Sequence, residues 1–334
     1  MKVSCVLLVN DPCRQLQDRF TPPARPWFAS GGGHMSWKPF VVGVDASPEA
    51  AGAAAFACRV AEQAGAGCRL VHATRDVLAA FEVPEVAAYR RAIVEQARGR
   101  VTAALSGRVP PKTLDEMIVR LGAPAMALKQ AVAEVDAEIV VLGGKHHSTL
   151  GRWLGGSTSL NVARTTEVPL LVTAGAPMAI HRVLVAVDLS GAARPTLAAA
   201  ERYAARFGAE LRALSVFEPL PVVPEAPVAY NSSEYYAMSE ELLKRDIWSA
   251  LQTRGVEKMV RYGGAVETIL RETAEWRADL LVMGSHGKGW ATRVLVGSVT
   301  ERLLNHLPTS LVVVPVVAAE AVEPLGARLA EAVA

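Results

Sequence analysis

Along this chain short apolar runs alternate with longer stretches in which apolar positions recur at helical spacing, the pattern of strands alternating with helices. From Pro39 onward it happens twice. Phe40-Val-Val-Gly-Val runs into Asp45 with Ser47 two residues on, and Val183-Leu-Val-Ala-Val runs into Asp188 with Ser190 two residues on. Each serine is placed to open a helix, the first from about Ala50 to Gln63 and its counterpart from about Ala192 to Phe207, closed by Gly208. Second strands are expected at Arg69 to Ala73 and Glu210 to Phe217. Long amphipathic helices follow over roughly 84–106 and 233–253, then third strands at 114–121 and 256–262 and helices at 124–135 and 265–277. Fourth strands, Ile139 to Leu142 and Leu280 to Met283, lead into glycine-rich loops, and fifth strands occupy Pro169 to Thr173 and Leu311 to Pro315.

The copies keep nearly equal pace: Asp45 to Gly156 spans 111 positions and Asp188 to Gly297 spans 109. A duplication of strand–helix units implies right-handed crossovers and a parallel sheet covered on both faces. The expected fold is therefore α/β, two tandem doubly wound domains over residues 38–175 and 180–317, with the seam near Gly175 to His181. Residues 1–37, with Pro22, Pro23, Pro26 and Gly31-Gly32-Gly33, leave little room for packed structure. Met35 is expected to be the true first residue, with residues 1–34 outside the native protein. Residues 318–334 read as a short alanine-rich tail broken around Pro324.

Candidate chemistry concentrates in the last glycine loop. Gly284, Gly287 and Gly289 follow the fourth strand, Lys288 and Arg293 lie in the basic interlude, and Gly297-Ser298 precede Val299, Leu303, Leu304 and Leu307 at helical spacing. Ser298 is the expected N-cap, and Pro308 stops the helix. Glycines ending a strand and a serine opening a helix gather backbone N–H groups and a positive helix end around one small space, which suits a phosphate.

Gly284-x-x-Gly287, nine residues, then Gly297-Ser298 resembles the nucleotide-binding signature of the universal stress protein family. The resemblance implies Rossmann-like domains of five parallel strands in the order 3-2-1-4-5. That order brings Asp188 and the Gly284–Ser298 loop to the two rims of the switch point, where ligands bind in open α/β sheets. It also implies an adenine nucleotide, ATP or else ADP or AMP, with Mg²⁺ allowed alongside it. Asp188 and Val216 would then meet the adenine end, Gly284, Gly287 and Gly297 would let the backbone approach the phosphates, and Ser298 would donate its hydroxyl. Lys288 and Arg293 are the candidates for added positive charge.

The first copy departs from this signature. Asp45, Gly143, Gly156 and Ser157 keep their places, but His146 stands where the second glycine belongs and Ala73 where the second copy has Val216. A side chain at position 146 fills space a phosphate would use. This site is expected to be degenerate: weaker, altered or purely structural.

Charge and composition narrow the function classes. Of 334 residues, 51% are apolar and 20% charged, with a net charge of +2 and both signs interspersed, so cores can form and no nucleic-acid footprint stands out. No apolar run reaches the length of a membrane span. Cys5, Cys13, Cys58 and Cys68 have no metal-site spacing and no CxxC, and reduced cytoplasmic thiols are expected. His146-His147 lack the neighbouring carboxylate or cysteine a metal centre needs. No catalytic triad, HExxH or GxxxxGK[ST] is present. The sequence therefore favours a cytoplasmic, nucleotide-responsive stress regulator read by a protein partner of unknown identity. A slow ATPase using His286, or a scaffold acting by association alone, are the alternatives. The apolar fifth strands would be sheet edges and invite pairing, so the two copies can form a pseudo-dimer within the chain, with a homodimer as a further step.

Overall fold

The computed structural model describes residues 37–76, 84–144, 158–175, 179–219, 232–286 and 296–315. Residues 1–36 of the proposed N-terminal extension, with Met35, and the C-terminal tail, His146, Gly156, Ser157, Gly287 and Lys288 lie outside the described residues, whereas Trp37, the last residue of that extension, is buried.

In the first copy β1 (Phe40–Gly43), α1 (Pro48–Gln63), β2 (Cys68–Thr74), α2 (Pro84–Leu105), α3 (Pro111–Asp115), β3 (Ile118–Leu121), α4 (Pro124–Val135), β4 (Ile139–Gly144), α5 (Thr158–Thr165) and β5 (Leu170–Ala174) succeed one another. The second copy runs β6 (Arg182–Ala186), α6 (Ala193–Phe207), β7 (Glu210–Phe217), α7 (Ser232–Leu242), β8 (Glu257–Tyr262), α8 (Ala265–Glu275), β9 (Leu280–Gly284), α9 (Ser298–Asn305) and β10 (Ser310–Val314).

All ten strands form one sheet in the order β3-β2-β1-β4-β5-β10-β9-β6-β7-β8. Each copy has the order 3-2-1-4-5 and is parallel throughout. The copies join through their fifth strands, where β10 pairs antiparallel with β5 and Val312 faces Leu171. This pairing covers both apolar edges at once, so the intrachain pseudo-dimer is a property of the sheet. Side chains alternate between two core layers. Val42, Val141, Val185, Val282 and Val312 pack under α1 and α6, while Val41, Val140, Leu184, Leu281 and Leu311 pack under α4, α5, α8 and α9.

Polar and aromatic groups reinforce the seam on one face. Trp37, just before β1, sits beneath the Arg206 guanidinium of the second copy at 3.8 Å and beside Tyr203 and Phe207. Arg206 also bonds the Glu138 carboxylate of the first copy, which accepts the Lys38 N–H at 3.1 Å. Across the strands themselves, the Ser310 hydroxyl accepts the Ala174 N–H at 3.1 Å.

Four expectations need correction. Ser190 does not cap the second copy's first helix: the cap position of α6 is Ala192, with no side-chain capping bond. The third strand of the first copy does not start at 114. Pro110 and Pro111 instead nucleate the short helix α3, since proline's fixed φ suits a first helical turn, and Leu114 is buried by it. The expected helix over 233–253 is regular only to Leu242, beyond which Leu243–Ile247 widen into a π turn and Trp248–Ala250 tighten into a 3₁₀ turn. That change of pitch buries Leu243, Ile247 and Trp248 against one core. Ser298 is not an N-cap: Gly297 caps α9 and Ser298 is its first helical residue, with no side-chain capping bond.

Candidate functional site

Two clefts open at the carboxyl ends of the strands, one per copy, each where the chain leaves neighbouring strands toward opposite faces of the sheet. In the second copy β6 leads to α6 on one face and β9 leads to α9 on the other, and β6 and β9 are hydrogen-bonded neighbours. That divergence leaves a cleft of about 410 Å³.

Its rims are built locally. Val187 follows β6 and donates its N–H to Leu214 O at 3.0 Å, which carries the chain one residue further alongside β7 and sets Asp188 at the mouth. The Asp188 carboxylate accepts the Ser190 N–H at 3.0 Å and the Ser190 hydroxyl at 2.5 Å, so this residue shapes the turn into α6 as well as lining the cleft. Val216, half-buried on β7, forms part of the same wall, beside Tyr235 of α7.

The opposite rim is Gly284 with Gly297 and Ser298. Gly297 donates its N–H to Ser285 O at 2.8 Å, the Thr300 hydroxyl donates to Gly284 O at 2.9 Å, and Ser285 donates its N–H to Val314 O at 2.8 Å. These bonds clamp the strand end and the helix start together on either side of residues 287–295. A Cβ at Gly284 would lie 3.1 Å from Ala192 Cβ and from Thr196 Oγ1, and 3.2 Å from His286 O, so glycine is what lets the loop approach α6 this closely. The exposed Ser298 begins α9, whose first turn has no side-chain cap and opens into the cleft. His286 lines the cleft half-buried, its Nδ1 2.9 Å from the Ser285 hydroxyl, and burial pushes the imidazole pKa down.

The first cleft, about 560 Å³, brings together Asp45, Ala73 and Gly143. Asp45 repeats the turn, accepting the Ser47 N–H at 2.9 Å, and Ser47 caps α1 by accepting the Ala50 N–H at 3.2 Å. His72 replaces the second copy's Ser215 and places Nδ1 2.8 Å from Val44 O. The cleft also takes Leu304, Asn305 and Leu307 from the end of α9, so the second copy furnishes part of the first copy's wall.

Sequence reasoning therefore brings Asp188, Val216, Gly284, Gly297 and Ser298 into one cleft and Asp45, Ala73 and Gly143 into another. It missed Thr300, Tyr235 and His72. The threonine, three positions after Gly297, carries a weak signal, because a hydroxyl in a first helical turn can reach a preceding loop. Nothing in the sequence places Tyr235, which comes from a different helix.

Comparison with known proteins agrees with this fold. The sequence model of the Universal stress protein family matches residues 36–174 and again 179–315. The chain belongs to the universal stress protein family. A universal stress protein of Mycolicibacterium smegmatis is 29% identical over 290 residues, covering 82% of this chain and 96% of the relative. A Mycobacterium tuberculosis universal stress protein is 28% identical over 292 residues, covering 82% and 95%. The solved structure of a universal stress protein from Archaeoglobus fulgidus shares the fold, with 18% identity, a TM-score of 0.51 and coverage of 83% of this chain and 98% of that one. Among the described residues no helix is long and apolar enough to cross a membrane. None of their His, Cys, Asp and Glu side chains gather in threes to hold a metal ion.

Proposed function

We propose that the second cleft binds an adenine nucleotide and that the occupied protein acts as a stress-response regulator read by a protein partner. The observation that carries the reading is the uncapped first turn of α9. That turn lines a cleft whose far rim is a carboxylate, beside a glycine whose added Cβ would stand 3.1–3.2 Å from its neighbours. Unsatisfied N–H groups at a helix start, with the positive end of the helix dipole, form an anion seat. The carboxylate of Asp188 would repel phosphates and suits the base or ribose instead. Gly284, Gly297 and Ser298 would hold the phosphoryl groups, with Gly287 and Lys288 as further contacts, and Val216 would pack against the base. In the sequence of the first copy His146 stands where the second motif glycine belongs, and we read that site as impaired. Residues 38–175 and 180–317 are the two functional domains on this reading, in a cytoplasmic protein.

A slow ATPase is the second reading, favoured by His286: a neutral imidazole lining the same cleft can accept a proton from water. Denaturing the purified protein and identifying the released nucleotide by chromatography tests the binding. About one adenine nucleotide per chain is expected. None released, with no calorimetric binding of added ATP, ADP or AMP, rejects it, and a ratio near two rejects the impairment of the first site. Steady-state phosphate release that His286→Gln abolishes would favour the ATPase.

A further inference from the structure

Cys58 and Cys68 line neither of the two clefts. Cys58 lies in the second half of α1, buried, and Cys68 is the first residue of β2, half-buried. The chain returns from helix to strand through the tight turn at Ala64–Gly65, where Gly65 takes φ +66°, and this return lays the two thiols against each other. Their Sγ atoms are 2.9 Å apart, close enough for either thiol to donate to the other. The pair belongs to the core between α1 and the sheet, so the packing of Phe56, Ala57 and Ala61 holds both side chains in register.

We propose that Cys58 and Cys68 form a peroxide-sensitive dithiol that closes reversibly to a disulfide. Two sulfurs within about 1 Å of bonding distance on a rigid helix–strand corner need little backbone movement to join. Hydrogen bonding from Cys68 favours the Cys58 thiolate, and the same contact together with burial holds the Cys68 proton in place. Thiolate is the nucleophile, so Cys58 attacks and Cys68 resolves.

The Cys58 sulfur attacks one oxygen of hydrogen peroxide; an S–O bond forms, the O–O bond breaks, and the departing hydroxide takes the Cys68 proton to become water. The Cys68 thiolate then attacks the Cys58 sulfur; the S–S bond forms, the S–O bond breaks, and the second hydroxide leaves as water with a proton from solvent. Two thiols lose two electrons in all, and the peroxide is reduced to two waters. A disulfide of this kind suits a reducing compartment, where disulfides are transient and sensing. The cross-link would tie α1 to β2, and the other end of α1 carries Ser47, Glu49 and Ala50 of the first cleft.

The test uses the full chain with Cys5 and Cys13 changed to serine, treated with hydrogen peroxide while folded, then alkylated after denaturation. Expected are a mass loss of about 2 Da, no alkylated cysteine, and the tryptic peptide Val60–Arg69 joined to the peptide ending at Arg59, all reversed by dithiothreitol. In Cys58→Ser and Cys68→Ser variants, with thermal melts confirming the fold, that joined peptide should vanish. Two thiols that stay alkylatable in the wild-type pair overturn the proposal. So does oxidation to sulfinic or sulfonic acid without a link.

Discussion

In the first cleft Gly143 is jammed against backbone, and in the second Gly284 meets two side chains and one carbonyl oxygen at looser distances. A Cβ at Gly143 would stand 2.4 Å from the Glu49 carbonyl carbon and 2.7 Å from Ala50 N, whereas at Gly284 the nearest atoms are a methyl and a hydroxyl at 3.1 Å. The next position differs too. Ser285 bridges to Val314 and Gly297 through its backbone, while Gly144 is pressed against Leu307 of the other copy, 2.5 Å from where its Cβ would be. One duplicated topology thus carries two kinds of rim. The second ties the end of β9 to the start of α9 beside its cleft. The first is wedged between its own helix and the end of α9, so its glycines serve close packing. A glycine kept in both copies need not be kept for the same reason.

Substituting the paired glycines breaks this comparison most directly. Gly143→Ala forces backbone apart and should cost about 2–3 kcal/mol in urea denaturation, while Gly284→Ala, whose nearest contacts at 3.1–3.2 Å need only slight relief, should cost about 1 kcal/mol. Equal losses would show that the two rims are packed alike. The aspartates sharpen the functional half of the contrast. Asp45→Ala and Asp188→Ala each remove the same turn bonds and should each cost about 1 kcal/mol of stability. Only Asp188→Ala should weaken adenine nucleotide binding, by about tenfold or about 1.4 kcal/mol, as read by calorimetry; a matching loss in Asp45→Ala would place a working site in the first copy. The smallest effect concerns His286. Its folded pKa lies below the usual value of about 6.5. The unfolded chain therefore binds the extra proton, and stability should fall as pH drops through about 6.5 and level off below the folded pKa. With the ring half-exposed, screening by water keeps this under about 1 kcal/mol. His286→Gln should remove that slope from melts taken between pH 7 and pH 5, and an unchanged slope would assign it elsewhere.

Most elements could be read from the chain because each depends on neighbours in sequence. Gly208 closes α6 with φ +60°, and Ser47 caps α1, both from local rules. The misread elements are those that tertiary packing reshaped. The π turn at Leu243–Ile247 exists because three large side chains must reach one core, and helical periodicity carries no sign of it. Likewise Ser298 has the composition of a cap, yet Gly297 takes the cap position at φ −57° and ψ 145°, where the clamp to Ser285 fixes the backbone.

The amino-acid sequence alone determined the duplication, the alternation of strands and helices, and the positions of Asp188 and the glycine loop, since hydrophobic period and turn chemistry act over a few residues. Only the tertiary structure decided that β5 and β10 pair antiparallel, that Trp37 lies under Arg206, that α9 walls the first cleft, and that Cys58 meets Cys68. Those contacts depend on which surfaces meet once the sheet has closed, and a surface is chosen by shape and burial across the whole fold, which no local pattern encodes.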